Sequence, residues 1–282
     1  MEAKHPLGAF VIVDDRLDAR LDAMKQLAIP TAQILTPPAE QRTPEAAKVL
    51  KEKFDRAGVE ITVVFCGFEG ESYADIPTVR ETVGLVPLET RYPRLDEAKA
   101  ISDFARELNV PVTALHIGFI PEDPDDPGYP AIVEVTQSLC DHCRQNGQRL
   151  HLETGQESAE MLLQFIGDVD RENLAVNFDP ANMILYGSGE PIPALRLLGR
   201  HVRSVHCKDA KWAAKPGQEW GQEVPLGEGD VDMEKFLKTL QEIDYVGPLT
   251  IEREISGQQQ IKDIEKGVAL LNRLRKEIWG ED

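Results

Sequence analysis

At 282 residues with 41% hydrophobic content, the chain has the length and composition to bury a sizeable core. Its 49 acidic and 31 basic residues leave a formal net charge of −18, which opposes nucleic acid and anionic membrane surfaces by long-range repulsion. The opening Met-Glu-Ala-Lys-His-Pro-Leu lacks a charged-then-apolar leader pattern, and no run approaches the ~20 apolar residues of a membrane helix, so a cytoplasmic protein is expected.

A strand–helix alternation runs from end to end. Apolar runs bounded by turn residues predict strands at Ala9–Val13, Thr31–Leu35, Ile61–Cys66, Val112–Ile117, Leu150–Glu153, Leu174–Phe178, Val202–His206 and Leu249–Ile251. Helical spacing fills the gaps: Leu17, Leu21 and Met24 mark the first helix, and Ile261, Ile264, Val268, Leu271 and Ile278 the last. Eight such βα units without a composition break predict one (β/α)8 TIM barrel, with 1–282 a single domain. A doubly wound open sheet would call for a glycine-rich phosphate loop after an early strand. The sequence has neither GxGxxG nor GxxxxGK followed by Ser or Thr.

Two connections exceed barrel norms, Gly67 to Pro93 and Asp209 to Asp230, and long βα loops usually cover the active mouth of a barrel. The second carries Trp212 and Trp220. It closes with Gly227-Glu-Gly-Asp230, where Asp230 is placed to cap the following helix. Of four cysteines, Cys140 and Cys143 form a lone CxxC inside the helical run Ala131–Gln145, and no second pair follows at zinc-finger spacing. They read as ordinary helix residues in a reducing compartment.

Four of the predicted strands end on metal-type ligands: Glu153, Asp179, His206 and Glu252. Residues two apart in a strand share a face, so one face collects His151 with Glu153, Asn177 with Asp179, Ser204 with His206 and Lys208, and Thr250 with Glu252. The opposite face is apolar and suits a helix layer. Each residue alone has an ordinary reading: a salt bridge for the glutamates, a turn start for Asp179 before Pro180, a satisfied core histidine for His206. Together, at matching strand ends, they predict a site for one divalent cation, Mn2+, Mg2+, Co2+ or Zn2+, with positions left open. Lys208 can meet an oxyanion, carboxylate or phosphate of a substrate, or pair with Asp179 or Glu252. His116, near the end of the fourth strand, can take a substrate hydroxyl or remain a hydrogen-bonded mouth residue. The Gly155-Gln-Glu157 stretch, just past Glu153, is a better candidate than Asp230 for touching substrate, with Glu157 its substrate-binding residue.

The motif order His151-Leu-Glu-Thr-Gly155, Asn177-Phe-Asp-Pro-Ala-Asn182, His206-Cys-Lys-Asp209, Gly227-Glu-Gly-Asp230 and Ile251-Glu-Arg-Glu254 resembles the xylose-isomerase-like TIM-barrel superfamily, which holds sugar-phosphate isomerases and epimerases and AP endonucleases. The resemblance implies one cation, manganese above all, on Glu153, Asp179, His206 and Glu252, with Glu254 the alternative to Glu252. It also implies that Glu153 and Glu252 are the acid–base pair of an isomerase or epimerase acting on a small sugar or sugar derivative through an enediolate held by the metal. A dehydratase of the inosose type shares the first proton abstraction, and a non-catalytic sugar-binding barrel is the third reading. Family members are often dimers or tetramers, so a homo-oligomer is expected. The chain departs from ketose 3-epimerases at Asn182, where they carry histidine, and after His206, where they carry a glycine-rich arginine motif. Both positions contact substrate in that group, and the departures weigh against a free ketohexose. The few histidines and the charge weigh against DNA repair.

Overall fold

The barrel strands are predominantly apolar, as strands covered on both faces tend to be. In the structure, a computed structural model describing residues 4–281, the elements in chain order are β1 (Leu7–Ile12), α1 (Leu17–Gln26), β2 (Thr31–Leu35), α2 (Pro44–Ala57), β3 (Glu60–Phe65), α3 (Ile76–Thr82), α4 (Arg91–Glu107), β4 (Val112–Leu115), α5 (Tyr129–Gln145), β5 (Arg149–Glu153) and α6 (Ala159–Val169). They continue with β6 (Leu174–Phe178), α7 (Pro180–Tyr186), α8 (Pro191–Leu198), β7 (Val202–Cys207), β8 (Asp209–Lys211), β9 (Gln222–Val224), α9 (Met233–Glu242), β10 (Leu249–Ile251) and α10 (Gln258–Trp279). Eight parallel strands close in the order β1–β2–β3–β4–β5–β6–β7–β10, so the chain forms a TIM barrel and the open sheet is excluded.

Local chemistry starts and stops the helices where the barrel needs them. In α2, Thr43 accepts from Ala46 N, Pro44 stands at the first turn, and Gly58 closes the helix at φ +70°, leaving Ala47, Leu50 and Phe54 as the buried stripe. Outward strand residues such as Leu152, Val176, Phe178, Val205 and Leu249 are fully buried under helices, with Phe178 stacked on Phe236 of α9. The barrel interior is divided. Toward β1–β4 it is plugged by Phe10, Val63, Phe65 and Ala114, and toward β5–β10 it is polar. Phe10 and Phe65 present their rings to His206 at 5.5 and 5.4 Å, so the apolar plug walls one side of the polar half.

The long connections hold elements of their own. Gly67–Pro93 contains α3, and buried Arg94 fastens it by donating to the carbonyls of Thr82, Gly84 and Glu69. Asp209–Asp230 contains the antiparallel β8–β9 hairpin, whose three-residue strands carry no alternation long enough to read from sequence. Asp230 does not cap the next helix: its carboxylate accepts from Trp212 N, and Asp232 caps α9 through Lys235 N. Ile261, placed on the buried face by spacing, is 46% exposed in the first turn of α10, whose buried residues begin at Asp263. Cys140 and Cys143 are buried and free on α5, and burial pushes both thiols up.

Candidate metal centre

Glu153 ends β5, Asp179 follows β6, His206 lies near the end of β7, and Glu252 follows β10. Parallel strands in a closed barrel bring their C-terminal ends to one mouth, and these four side chains meet there, each offering one ligand atom within 4.8 Å of the others. Two donors facing each other across an ion at about 2.1 Å stand about 4.2 Å apart, so the cluster has the dimensions of a cation site with modest contraction.

The unmet bonding points to the same reading. Glu153 Oε1, Asp179 Oδ2 and His206 Nδ1 are buried without a hydrogen-bond partner among the described residues. His206 Nδ1 lies 2.6 Å from Glu153 Oε1, 3.3 Å from Glu252 Oε2 and 3.6 Å from Asp179 Oδ2, close approaches that lack directed hydrogen-bond geometry for the first and third atoms. Buried orphan donors and acceptors are costly unless something satisfies them. A cation answers all three, and the residues present fit one.

In Glu153, Asp179 and His206 the second polar atom of the side chain is already engaged, whereas in Glu252 the oxygen that faces His206 is itself shared with Lys208. Asp179 Oδ1 accepts from Ala181 N at 2.8 Å and Asn182 N at 3.0 Å, capping α7, so the turn-starting reading holds through one oxygen and Oδ2 is left free to face the cluster. His206 Nε2 lies 2.9 Å from Gln33 Oε1, which orients the ring. Glu153 Oε2 meets His116 Nε2 at 2.9 Å, and Glu252 Oε2 accepts from Lys208 Nζ at 3.0 Å.

Electrostatics tie the groups together. Burial works against ionised Glu153, yet His116 and His206 hold its carboxyl down at about 2. Burial likewise opposes ionised Glu252, and Lys208 and His206 keep it well below the usual range. Burial lifts Asp179, with Lys208 and His206 pulling the other way. Burial pushes Glu157 up to about 8, and both its oxygens are buried without a partner among the described residues. His151, one layer below, bonds Ser204 at 2.8 Å, and burial lowers it to about 3, so it is neutral.

Lys208 is fully buried. It donates to Asn182 Oδ1 at 3.1 Å as well as to Glu252, and forms an ion pair with Glu254. Glu254 itself stands outside the cluster, its side chain 60% exposed, and Glu252 is the one of the two that joins Glu153, Asp179 and His206. Sequence reasoning missed Gln33 and Tyr186, and it did not foresee the partners of Gln156. Gln33 is an inward polar residue in an apolar strand and could have been found by alternation. Gln156 Nε2 lies 3.2 Å from His116 Nδ1 and 3.1 Å from the Tyr186 hydroxyl, links that loop residues do not signal in sequence. Tyr186 in turn packs on Trp220 at 4.5 Å, and Tyr73 faces His116 at 6.0 Å, which gives the mouth an aromatic rim.

The sequence matches the family described as xylose isomerase-like TIM barrel over residues 21–274. The chain belongs to that family. A xylose isomerase domain protein from Planctomyces limnophilus is 55% identical, with a TM-score of 0.95 over 98% of this chain and 99% of that one. A xylose isomerase-like TIM barrel protein from Mycobacterium smegmatis, solved in complex with magnesium, is 17% identical with a TM-score of 0.72 over 97% and 99%. D-Psicose 3-epimerase from Clostridium cellulolyticum H10 shares the fold at 16% identity and a TM-score of 0.71 over 96% and 98%. Among characterised sequences, an inosose dehydratase from Clostridium botulinum is 26% identical over 136 residues, 40% of this chain and 45% of that protein. Among the described residues, no helix is long and apolar enough to cross a membrane.

Proposed function

We propose that this chain is a divalent-metal-dependent isomerase or epimerase of a sugar or sugar derivative, with Glu153 and Glu252 as the acid–base pair. The observation that carries the reading is that two carboxylates from different strands approach one imidazole nitrogen, at 2.6 and 3.3 Å, each with a separate cationic or imidazole partner behind it. A divalent cation, manganese first and magnesium, cobalt or zinc next, would be held by Glu153, Asp179, His206 and Glu252 and would supply Lewis acidity to a substrate carbonyl and its neighbouring hydroxyl.

The chain's own groups do the rest. Glu153 or Glu252 takes the proton from the carbon beside the carbonyl, and the enediolate is reprotonated by the other glutamate on the opposite face, or on the neighbouring carbon. Return to the same carbon inverts it, and return to its neighbour isomerises the sugar. His116 holds Glu153 through Oε2 and keeps its other oxygen toward the cluster. Lys208 and Asn182 sit beside Glu252 and carry donors and an acceptor for a substrate oxygen. Glu157, with two unsatisfied oxygens, accepts from a substrate hydroxyl. The D-psicose 3-epimerase likeness supports the substrate class, although Asn182 and Lys208 depart from the ketose 3-epimerase pattern.

A second reading is dehydration, favoured by the inosose dehydratase match and by those same departures. Incubation of metal-loaded protein with keto sugars and inososes in D2O separates the two. Isomerisation or epimerisation leaves one solvent deuteron in a product of otherwise unchanged composition, whereas dehydration yields a product lacking water. Absence of any exchange across the panel, with metal present, would sink both and leave the non-catalytic barrel.

A further inference from the structure

The starts of β5, β6 and β7 frame a cavity of about 380 Å3 at the end of the barrel opposite the metal centre, lined by Arg149, Arg171, Arg200, Arg203, His201 and the Ile166–Gly167 stretch of α6. Four arginines sharing one cavity is unexpected in a chain of net charge −18. Elsewhere arginines such as Arg42, Arg196 and Arg253 find carboxylates, at 2.9, 2.9 and 3.0 Å. Here only Arg171 does, with both of its outer nitrogens on Asp141 or nearby carbonyls.

Arg149, Arg200 and Arg203 have no carboxylate within ion-pair distance among the described residues. Arg149 donates to the Glu172 carbonyl at 3.3 Å, Arg203 to the Val202 carbonyl at 2.8 Å, and Arg200 to His201 Nε2 at 2.8 Å. The three arginines are exposed, and each guanidinium carries five N–H donors, so the one bond that each makes leaves the rest of its fork to solvent or a ligand. His201 registers the field: burial lowers its pKa, Arg200 and Arg203 lower it further, and its Nε2 accepts from Arg200. Asp170 and Glu172 also line the cavity but pair with none of the three arginines.

We infer that this cavity is a second binding site, specific for a phosphate-type oxyanion and separate from the metal centre. Planar guanidinium forks match the oxygens of a tetrahedral oxyanion bidentately, and three unneutralised forks in one concavity provide the charge and the geometry. The bottom face of a TIM barrel does not carry the chemistry, so the ligand here is a bound effector or stabiliser and not the substrate.

Calorimetric titration of the metal-loaded full chain with inorganic phosphate at low ionic strength tests this. Saturable one-to-one binding is expected, weakened about tenfold or more by Arg149→Gln combined with Arg203→Gln, and strengthened by Asp170→Asn, which removes a rim carboxylate. Glu153→Gln, at the other end of the barrel, should leave phosphate affinity unchanged. Unchanged melting temperatures of the surface variants guard against misfolding, and the opposite signs for the arginine and aspartate variants exclude a general loss of structure. No saturable binding, or binding indifferent to the arginines and lost with Glu153→Gln, would overturn the inference.

Discussion

Lys208 Nζ lies 3.0 Å from Glu252 Oε2, and that same oxygen lies 3.3 Å from His206 Nδ1. One carboxylate oxygen thus serves both a buried ammonium and the position proposed for the cation. Lys208 is the fixed charge that offsets part of the carboxylate cluster when no cation is present. Removing one partner of a buried ion pair costs about 3–5 kcal/mol, because the other is left desolvated and unpaired. Lys208→Met should therefore lower the melting temperature of metal-free protein substantially, and added Mn2+ should raise the melting temperature of the variant by more than that of the wild type. Equal metal-induced shifts would show that Lys208 and the cation do not share Glu252.

Glu153→Gln and Glu252→Gln should each reduce solvent-deuterium exchange into substrate by about 10²–10⁴-fold, the range for loss of a positioned acid or base. His116→Gln should cost less, since it leaves the Glu153 carboxylate in place and removes only its anchor. Single-turnover exchange measured at saturating metal separates the chemical loss from weakened cation binding. Full exchange in either glutamate variant would remove that residue from the acid–base pair.

Glu157 makes a pH prediction. Burial raises its folded pKa to about 8 from an ordinary 4.5, so between those values the folded protein binds a proton that the unfolded chain does not. A raised carboxyl pKa means that stability falls as pH rises across that window, by up to about 1.4 kcal/mol per pH unit for one proton, and levels off above it. Glu157→Gln should be near neutral at pH 4.5, more stable than wild type at pH 9, and flatter in denaturant midpoint between them. Parallel pH profiles for the two proteins would contradict the assignment.

Gly229 tests the loop over the mouth. Asp209 gathers the backbone N–H groups of Ala210, Gly227, Gly229 and Val231, and a Cβ at Gly229 would stand 2.2 Å from Asp209 Oδ1 and 2.6 Å from the Ala210 carbonyl. The first is a carboxylate oxygen pinned by backbone N–H groups and the second is backbone, so neither can move aside freely. Gly229→Ala should displace this loop, speed its proteolysis and lower kcat/KM, while an exposed control such as Lys215→Ala leaves both unchanged. Equal protease sensitivity would argue against the Asp209 anchor.

Much of this arrangement was legible because strand alternation is a strict rule. The barrel strands fall within a few residues of those expected, and the inward set His151, Glu153, Asn177, Asp179, Ser204, His206 and Thr250 follows from counting by twos. What was not legible depends on backbone conformations that leave no periodic trace. The β8–β9 hairpin is too short to alternate, and Asp232, at φ +62°, caps α9 two residues later than the Gly-Glu-Gly-Asp pattern suggests. Gln156 reaches His116 from a loop. Lys208 was equally compatible with substrate and with a salt bridge until its distances to Glu252 and Asn182 were known.

Elemental analysis of purified wild-type protein beside Asp179→Asn and His206→Ala tests the central claim most directly. The wild type should carry close to one equivalent of a divalent cation, and each variant should lose most of it under the same dialysis. Full retention in both variants would place the cation elsewhere and contradict the account.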